Sequence, residues 1–200
     1  MRNSLLILLF SFFAATTFGQ LGVKGGINFS NISTDEDDIE NLEGKLGFQA
    51  GLMLRINLTE TFAIQPEALF VRKGAKYEFL GSEVKSNMDY VDFPVLLVFK
   101  PVDFISIQVG PQFSYLLGTN VTYGDGFAGI GQGYDAERDD FEDVDYGLAA
   151  GLGFNLGNAI IDVRYTRGFK KYEKETLVGN IAIEPSSNHY SLQASVGFLF

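Results

Sequence analysis

The residues of this chain best equipped for chemistry are few and scattered. Its single histidine, His189, has Ser187 and Ser191 close by in sequence. A histidine beside a serine hydroxyl is the start of nucleophilic acyl or peptidyl transfer, with the imidazole taking the hydroxyl proton and a third group orienting the ring. No such third group is identifiable, and His189 falls where a polar segment meets an alternating one. It reads as a rim histidine, and no catalytic residue is assigned. Two acidic groups could gather carboxylate oxygens around a hard cation: Asp35-Glu36-Asp37-Asp38, and Asp135, Glu137, Asp139, Asp140, Glu142 and Asp143. Neither has the D-x-[DN]-x-[DN]-G spacing that folds a loop round an ion. They read as solvated, mutually repelling loop acids, and no metal site is assigned. Gly124-Asp125-Gly126-Phe127-Ala128-Gly129 matches G-x-G-x-x-G but opens no helix and sits in no βαβ unit, so no cofactor is expected. The chain has no cysteine, which excludes disulfides, thiolate metal ligands and cysteine nucleophiles. A formal net charge of −10 argues against nucleic acid, whose phosphates need clustered Lys and Arg.

A second set of chemically capable residues recurs at every other position. Arg55, Gln65, Glu67, Asp92, Gln108, Gln112, Asp145, Asp162, Arg164 and Gln193 each sit opposite an apolar row. Period two is the signature of a strand whose faces see different surroundings. The clearest case is Leu46, Phe48, Ala50, Leu52, Leu54, Ile56 and Leu58 against Gly47, Gln49, Gly51, Met53, Arg55 and Asn57. Seven apolar residues on one face with Gln, Arg and Asn opposite are unusual for a soluble strand.

Eight such stretches follow in order: Leu21–Phe29, Leu46–Leu58, Phe62–Phe70, Asn87–Phe99, Ile105–Leu117, Tyr146–Leu156, Ile161–Thr166 and Asn188–Phe200. Each is about ten residues, the ~9 to 11 that cross a bilayer at a tilt. Pro66 lacks an amide donor and is expected at a bulge. The connections alternate: Asn31–Gly44, Lys73–Ser86, Thr119–Phe141 and Phe169–Ser187 are long, whereas Thr59–Thr61, Lys100–Asp103 and Gly157-Asn158 are short. An even number of strands with short turns at one end and long loops at the other is the outer-membrane pattern. Arg2, the apolar Leu5–Ala15 and the small residues before Gln20 read as an export signal over residues 1–19. Residues 20–200 are then one barrel domain with both termini in the periplasm.

Four phrases resemble the outer membrane protein β-barrel domain family of Gram-negative bacteria, related to the accessory barrels of type IX secretion. They are Val23-Lys24-Gly25-Gly26-Ile27-Asn28-Phe29-Ser30, Ile64-Gln65-Pro66-Glu67-Ala68-Leu69-Phe70, Tyr90-Val91-Asp92-Phe93-Pro94-Val95-Leu96-Leu97 and Asp162-Val163-Arg164-Tyr165-Thr166-Arg167-Gly168. The resemblance covers nearly the whole chain after the signal and implies location and architecture, with no shared catalytic or cofactor residues. A proline at position 66 is similar to the family pattern.

The expected fold is therefore all-β, an eight-stranded antiparallel up-and-down transmembrane barrel. Eight strands enclose a lumen only wide enough for side chains to fill. Charges there must pair, so Arg55 and Arg164 are expected to meet Glu67, Asp92 or Asp162. Tyr165, Tyr190, Phe198 and Phe200 are expected outside, in an aromatic girdle, with Phe198 and Phe200 resembling the signal read by the barrel-assembly machinery. The expected partners are outer-membrane lipid and lipopolysaccharide, whose phosphates divalent ions could bridge to the loop acids, and a surface or secretion partner for four extracellular loops. The expected role is structural or interactive rather than enzymatic. One alternative is an accessory role in protein secretion. The other is a soluble lipocalin-like barrel in which Leu46, Phe48, Leu52 and Leu54 line an apolar ligand cavity.

Overall fold

The structure is a computed structural model that describes residues 19–33, 43–79, 82–123, 144–169, 176–178, 181–183 and 188–200. The acidic runs 35–38 and 135–143, the glycine-rich 124–129 and residues 1–18 lie outside the described residues. Ten strands are present: β1 (Gly19–Ser33), β2 (Glu43–Asn57), β3 (Phe62–Phe79), β4 (Ser82–Val102), β5 (Ile105–Tyr123), β6 (Val144–Leu156), β7 (Ala159–Gly168), β8 (Thr176–Val178), β9 (Ile181–Ile183) and β10 (Asn188–Leu199). Eight of them close a barrel in the order β1-β10-β7-β6-β5-β4-β3-β2, and every pairing is antiparallel. β8 and β9 form a small separate hairpin. A closed antiparallel sheet leaves no unpaired edge, the condition under which strands can cross a bilayer.

The period-two pattern decides which way the sheet curls. On β10, Ser191, Gln193, Ser195, Gly197 and Leu199 are buried inside, and Leu192, Val196 and Phe198 are exposed outside. The same inversion holds on the other barrel strands: Leu46, Phe48 and Leu52 of β2 are 64%, 46% and 52% exposed, while Leu54, lower on the same row, is covered at 7%. An outer wall of Phe, Leu, Ile and Val is far larger than a soluble protein leaves in water. It is what lipid requires. The lipocalin-like alternative fails here, because Leu46, Phe48 and Leu52, three of the four residues that would line its cavity, form the outer surface.

The lower end carries the short turns. In Leu58–Thr61 the Thr59 hydroxyl accepts from the amides of Thr61 and Phe62 at 3.2 and 2.9 Å, and Leu58 N donates to Phe62 O at 2.9 Å. Gly157 takes φ 63° in the Gly157-Asn158 turn, a left-handed conformation that favours glycine. Phe200 N donates to Leu21 O at 2.8 Å, tying the last residue back to β1.

Several local expectations change. The barrel strands run from 10 to 21 residues, most of them longer than the membrane needs. Within 73–86, expected as a polar loop, residues 73–79 and 82–86 are instead paired strand, register-matched from Lys73↔Met88 to Phe79↔Ser82. Ladder hydrogen bonding continues here although the apolar alternation of the sequence has stopped. The stretch 169–187 likewise contains the β8–β9 hairpin. Pro66 is not at a bulge. Its pairing with Val95 is in register, and the Pro66 position on the β2 side falls in a gap between the Met53↔Glu67 and Ile56↔Ile64 pairs.

The bulge between β2 and β3 lies higher, between Gly44 and Gln49. Side chains of β1 mend it. Asn28 Nδ2 donates to Phe48 O at 3.2 Å and to Arg72 O at 3.0 Å. The Ser30 hydroxyl donates to Gly74 O and accepts from Gly74 N, both at 3.0 Å. Two buried side chains thus reach past β2 and satisfy backbone groups of β3 that a bulge leaves without ladder partners.

The orientation of β10 yields a direct test. Val196, 58% exposed and paired with Gly25 and Ile161, faces lipid. Val196→Arg is expected to lower the stability of the barrel in lipid vesicles, measured by reversible urea unfolding, by about 2 to 4 kcal/mol if Val196 lies near the bilayer midplane and by less toward either interface. A Ser195→Arg variant, entering the lumen, should depend on neighbouring carboxylates instead. Equal, small effects at both positions would show that the parity assigned to this strand is wrong.

Candidate functional site: the charged belt of the barrel interior

The inward rows of eight strands converge on a small volume, and β6 makes room for the largest groups in it. Its inward face is Gly147, Ala149, Gly151 and Gly153. A Cβ on Gly153 would fall 2.5 Å from Ser106 Oγ and 2.8 Å from Gln108 Nε2, and one on Gly151 would fall 2.6 Å from Val163 O. With hydrogen there instead, Arg164 of β7 and Gln108 of β5 fit across the interior.

Arg164 is the centre of the belt. Its Nη1 and Nη2 donate to Glu67 Oε2 and Oε1 at 2.7 and 2.9 Å, a two-pronged contact from β7 to β3 across the lumen. Nη2 also donates to Gln108 Oε1 at 2.9 Å. Both charged side chains are essentially inaccessible, at 1% and 0%. Lys24 of β1 completes the group, 2.7 Å from Asp162 Oδ2 and 3.5 Å from Glu67 Oε1. Asp162 accepts a further hydrogen bond from the Ser195 hydroxyl at 3.0 Å. Alternating cations and carboxylates, with amide and hydroxyl donors filling the remaining lone pairs, are the arrangement that makes charge burial tolerable.

Arg55 does not meet a carboxylate at ion-pair distance. Its Nε donates to Gln65 Oε1 at 2.8 Å and its Nη1 to Asn155 Oδ1 at 2.9 Å. The register explains this: Arg55 lies one inward step below the rung of Met53 and Glu67, beside Gln65. The Glu67 oxygens are already taken by Arg164, Lys24 and Gln65, whose Nε2 donates to Glu67 Oε1 at 2.6 Å. Gln65 thus relays between the guanidinium and the carboxylate.

Asp92 stands apart, higher in the barrel. It pairs with Lys73 at 2.9 Å and accepts from Gln112 Nε2 at 2.9 Å. Lys73 Nζ also sits 4.7 Å from the centre of the Tyr90 ring. Asp145, with Lys73, Gln112, Ser114 and Ser191, lines a small cleft at the upper mouth. Of His189 only the backbone is described, paired with Ile32 at the start of β10.

Apolar side chains lie on both sides of the charged belt. Met53, Ile160 and Leu199 cluster toward the short turns, and Met88, Tyr90 and Leu116 toward the loops. Lys24 and Lys73 are site residues that sequence reasoning placed on polar rows but left out of the inward charged set. Lys24 occupies the polar row of β1 with Asn28, and Lys73 extends the Gln65–Glu67 row of β3, so the same parity rule reaches both. Outside, Tyr165 and Tyr190 stack at 6.3 Å between ring centres, and Phe198 and Phe200 meet edge to face at 5.7 Å.

The carboxylates and cations of the belt are bound to one another, and among the described residues no three histidine or carboxylate groups gather as a metal site. Comparison with known proteins addresses architecture. Neisserial surface protein A superposes at a TM-score of 0.55 with 12% identity, over 90% of this chain and 97% of its own. Ail, the attachment invasion locus protein of Yersinia pestis, superposes at 0.50 with 17% identity, over 91% and 99%. At these identities the likeness concerns the fold alone. No curated protein sequence matches the chain significantly. The sequence pattern of the outer membrane protein β-barrel domain matches residues 17–172. With its closed eight-stranded wall and apolar exterior, the chain belongs to the outer membrane protein β-barrel domain family, and the outer membrane is where it resides.

Proposed function

We propose that this barrel is a non-enzymatic, non-conducting protein of the outer membrane whose role is structural or interactive, exercised through the loops that its long strands raise above the bilayer. The observation that carries the reading is the Arg164–Glu67 contact across the lumen, joined by Lys24 and Asp162 and bracketed by apolar clusters. A conducting pore needs a continuous wet path. Here the widest side chains cross the axis and hold one another, which argues for a plug. Strand pairs such as β3–β4, paired well beyond the apolar band, suit presentation of a surface to an external partner.

In this reading, residues 1–19 are an export signal removed before assembly, and Phe198 and Phe200 on the outward row of the closing strand help the barrel-assembly machinery recognise it. Lipid and lipopolysaccharide surround the wall, and the partner of the loops is a macromolecule outside the cell.

Two measurements follow. Purified barrel in planar bilayers is expected to give no steady single-channel current, and large, stable conductance steps would refute the plug. Mass spectrometry of protein recovered from the outer membrane is expected to find a chain beginning at Gln20. Recovery of a chain retaining Met1 would contradict the export signal.

A further inference from the structure

The outer wall is apolar up to a sharp boundary. Ascending β3 on its lipid face, Phe62, Ile64, Pro66, Ala68 and Phe70 give way to Arg72. On β4, Phe99, Leu97, Val95, Phe93 and Val91 give way to Asp89. The climb from Phe62 to Arg72 is about 33 Å of strand at ~3.3 Å per residue. At a tilt of ~40° it rises roughly 25 Å, the height of the apolar band of such barrels. Arg72 and Asp89 therefore stand level with the headgroups of the outer leaflet.

The wall is indented at this level. The β4–β5 register shifts between Asp89 and Tyr90, so Asp89 pairs with Gly118 while Tyr90 pairs with Leu116. A Cβ added to Gly118 would meet nothing within 4 Å. The result is a notch of about 390 Å³ lined by Arg72, Asn87, Asp89, Gly118 and Thr119. Arg72 is set firmly beside it. Its Nε and Nη2 donate to the two Asp89 oxygens at 2.6 and 2.7 Å, and its guanidinium lies 5.5 Å from the centre of the Phe48 ring. This chelate leaves the Nη1 amino group, with two N–H donors, outside it. Asn87, on the notch wall, accepts a hydrogen bond from Lys45 Nζ at its Oδ1 at 2.6 Å.

We propose that this notch binds the phosphate of an outer-leaflet lipid headgroup, with Arg72 Nη1 as the principal donor and Asn87 and Thr119 as polar neighbours. Asp89 fixes the guanidinium through Nε and Nη2 and leaves the two Nη1 donors outside the chelate. Planar guanidinium donors suit phosphate oxygens, and the acyl chains of a lipid hold its headgroup at this depth. Directly below the notch, the exposed pair Phe93 and Phe113 offers a surface on which the acyl chains of the same molecule lie. The inference depends only on the barrel spanning the outer membrane, and neither a pore nor a plug in the lumen alters it.

The test is native mass spectrometry of the full barrel in mild detergent, titrated with lipid A, the phosphorylated anchor of lipopolysaccharide. Its dephosphorylated analogue and inorganic phosphate serve as separate probes. Wild-type protein is expected to retain lipid A and to lose it about tenfold more readily as Arg72→Gln, a difference of about 1.4 kcal/mol. Gly118→Leu, which fills the notch without changing charge, should weaken retention comparably. Heat-modifiable migration in gels verifies that each variant is folded. The proposal is overturned if both folded variants hold lipid A as the wild type does, or if the dephosphorylated analogue binds equally well. Displacement of lipid A by millimolar inorganic phosphate would also overturn it, since the site would then recognise a free anion rather than a lipid.

Discussion

The central belt of this barrel is arranged around the Arg164 guanidinium buried against the Glu67 carboxylate. Eight strands enclose an interior about wide enough for side chains to fill, yet their inward rows carry full charges. Each charge taken from water costs several kcal/mol unless a well-placed partner and hydrogen bonds offset it. The two-pronged contact meets that demand for Arg164 and Glu67. It obliges Lys24 and Asp162 to pair nearby, Gln108, Gln65 and Ser195 to fill remaining sites, and β6 to present glycine where a side chain would obstruct them. Because β7 and β3 lie on different parts of the wall, the same contact is a strut across the lumen.

The exterior answers to a different solvent. Lipid forbids an unpaired backbone group, so the ladder must be complete at every depth. The bulge between Gly44 and Gln49 breaks that rule locally, and Asn28 and Ser30 restore it with their own polar atoms. Their presence in the phrase Gly26-Ile27-Asn28-Phe29-Ser30 acquires a physical reason beyond alternation. Beyond the apolar band the constraint lapses, and strands such as β4 keep their ladder pairing without an apolar row in the sequence.

How much of this was legible depends on whether the determinant was periodic. The inward or outward fate of Gln193, Ser195 and Val196 follows from parity, and so does the barrel closure they take part in. The resemblance carried by four phrases pointed the same way. Partner choice is not periodic. Arg55 and Arg164 look equivalent in sequence, but only three-dimensional stagger puts one against Glu67 and the other against Gln65 and Asn155. Lys24 and Lys73 stood on the polar rows of the first and third strands, so parity reached them, but the carboxylate each would meet is set by the same stagger. The paired extension over 73–86 was hidden because strand in water has no apolar stripe to reveal it. Pro66 was read as a bulge from its missing donor, whereas the sheet simply leaves its β2-side position without a partner.

The most direct test of the account is a double-mutant cycle on Glu67 and Arg164, with stabilities from reversible unfolding in lipid vesicles. Glu67→Leu and Arg164→Met each strand a buried partner, so each is expected to cost about 3 to 5 kcal/mol. The double variant, with both charges gone, should cost no more than either single change, a coupling of about 3 kcal/mol or more. Strictly additive effects, with the double variant as unstable as the two singles combined, would mean that the contact across the lumen does not hold this interior together.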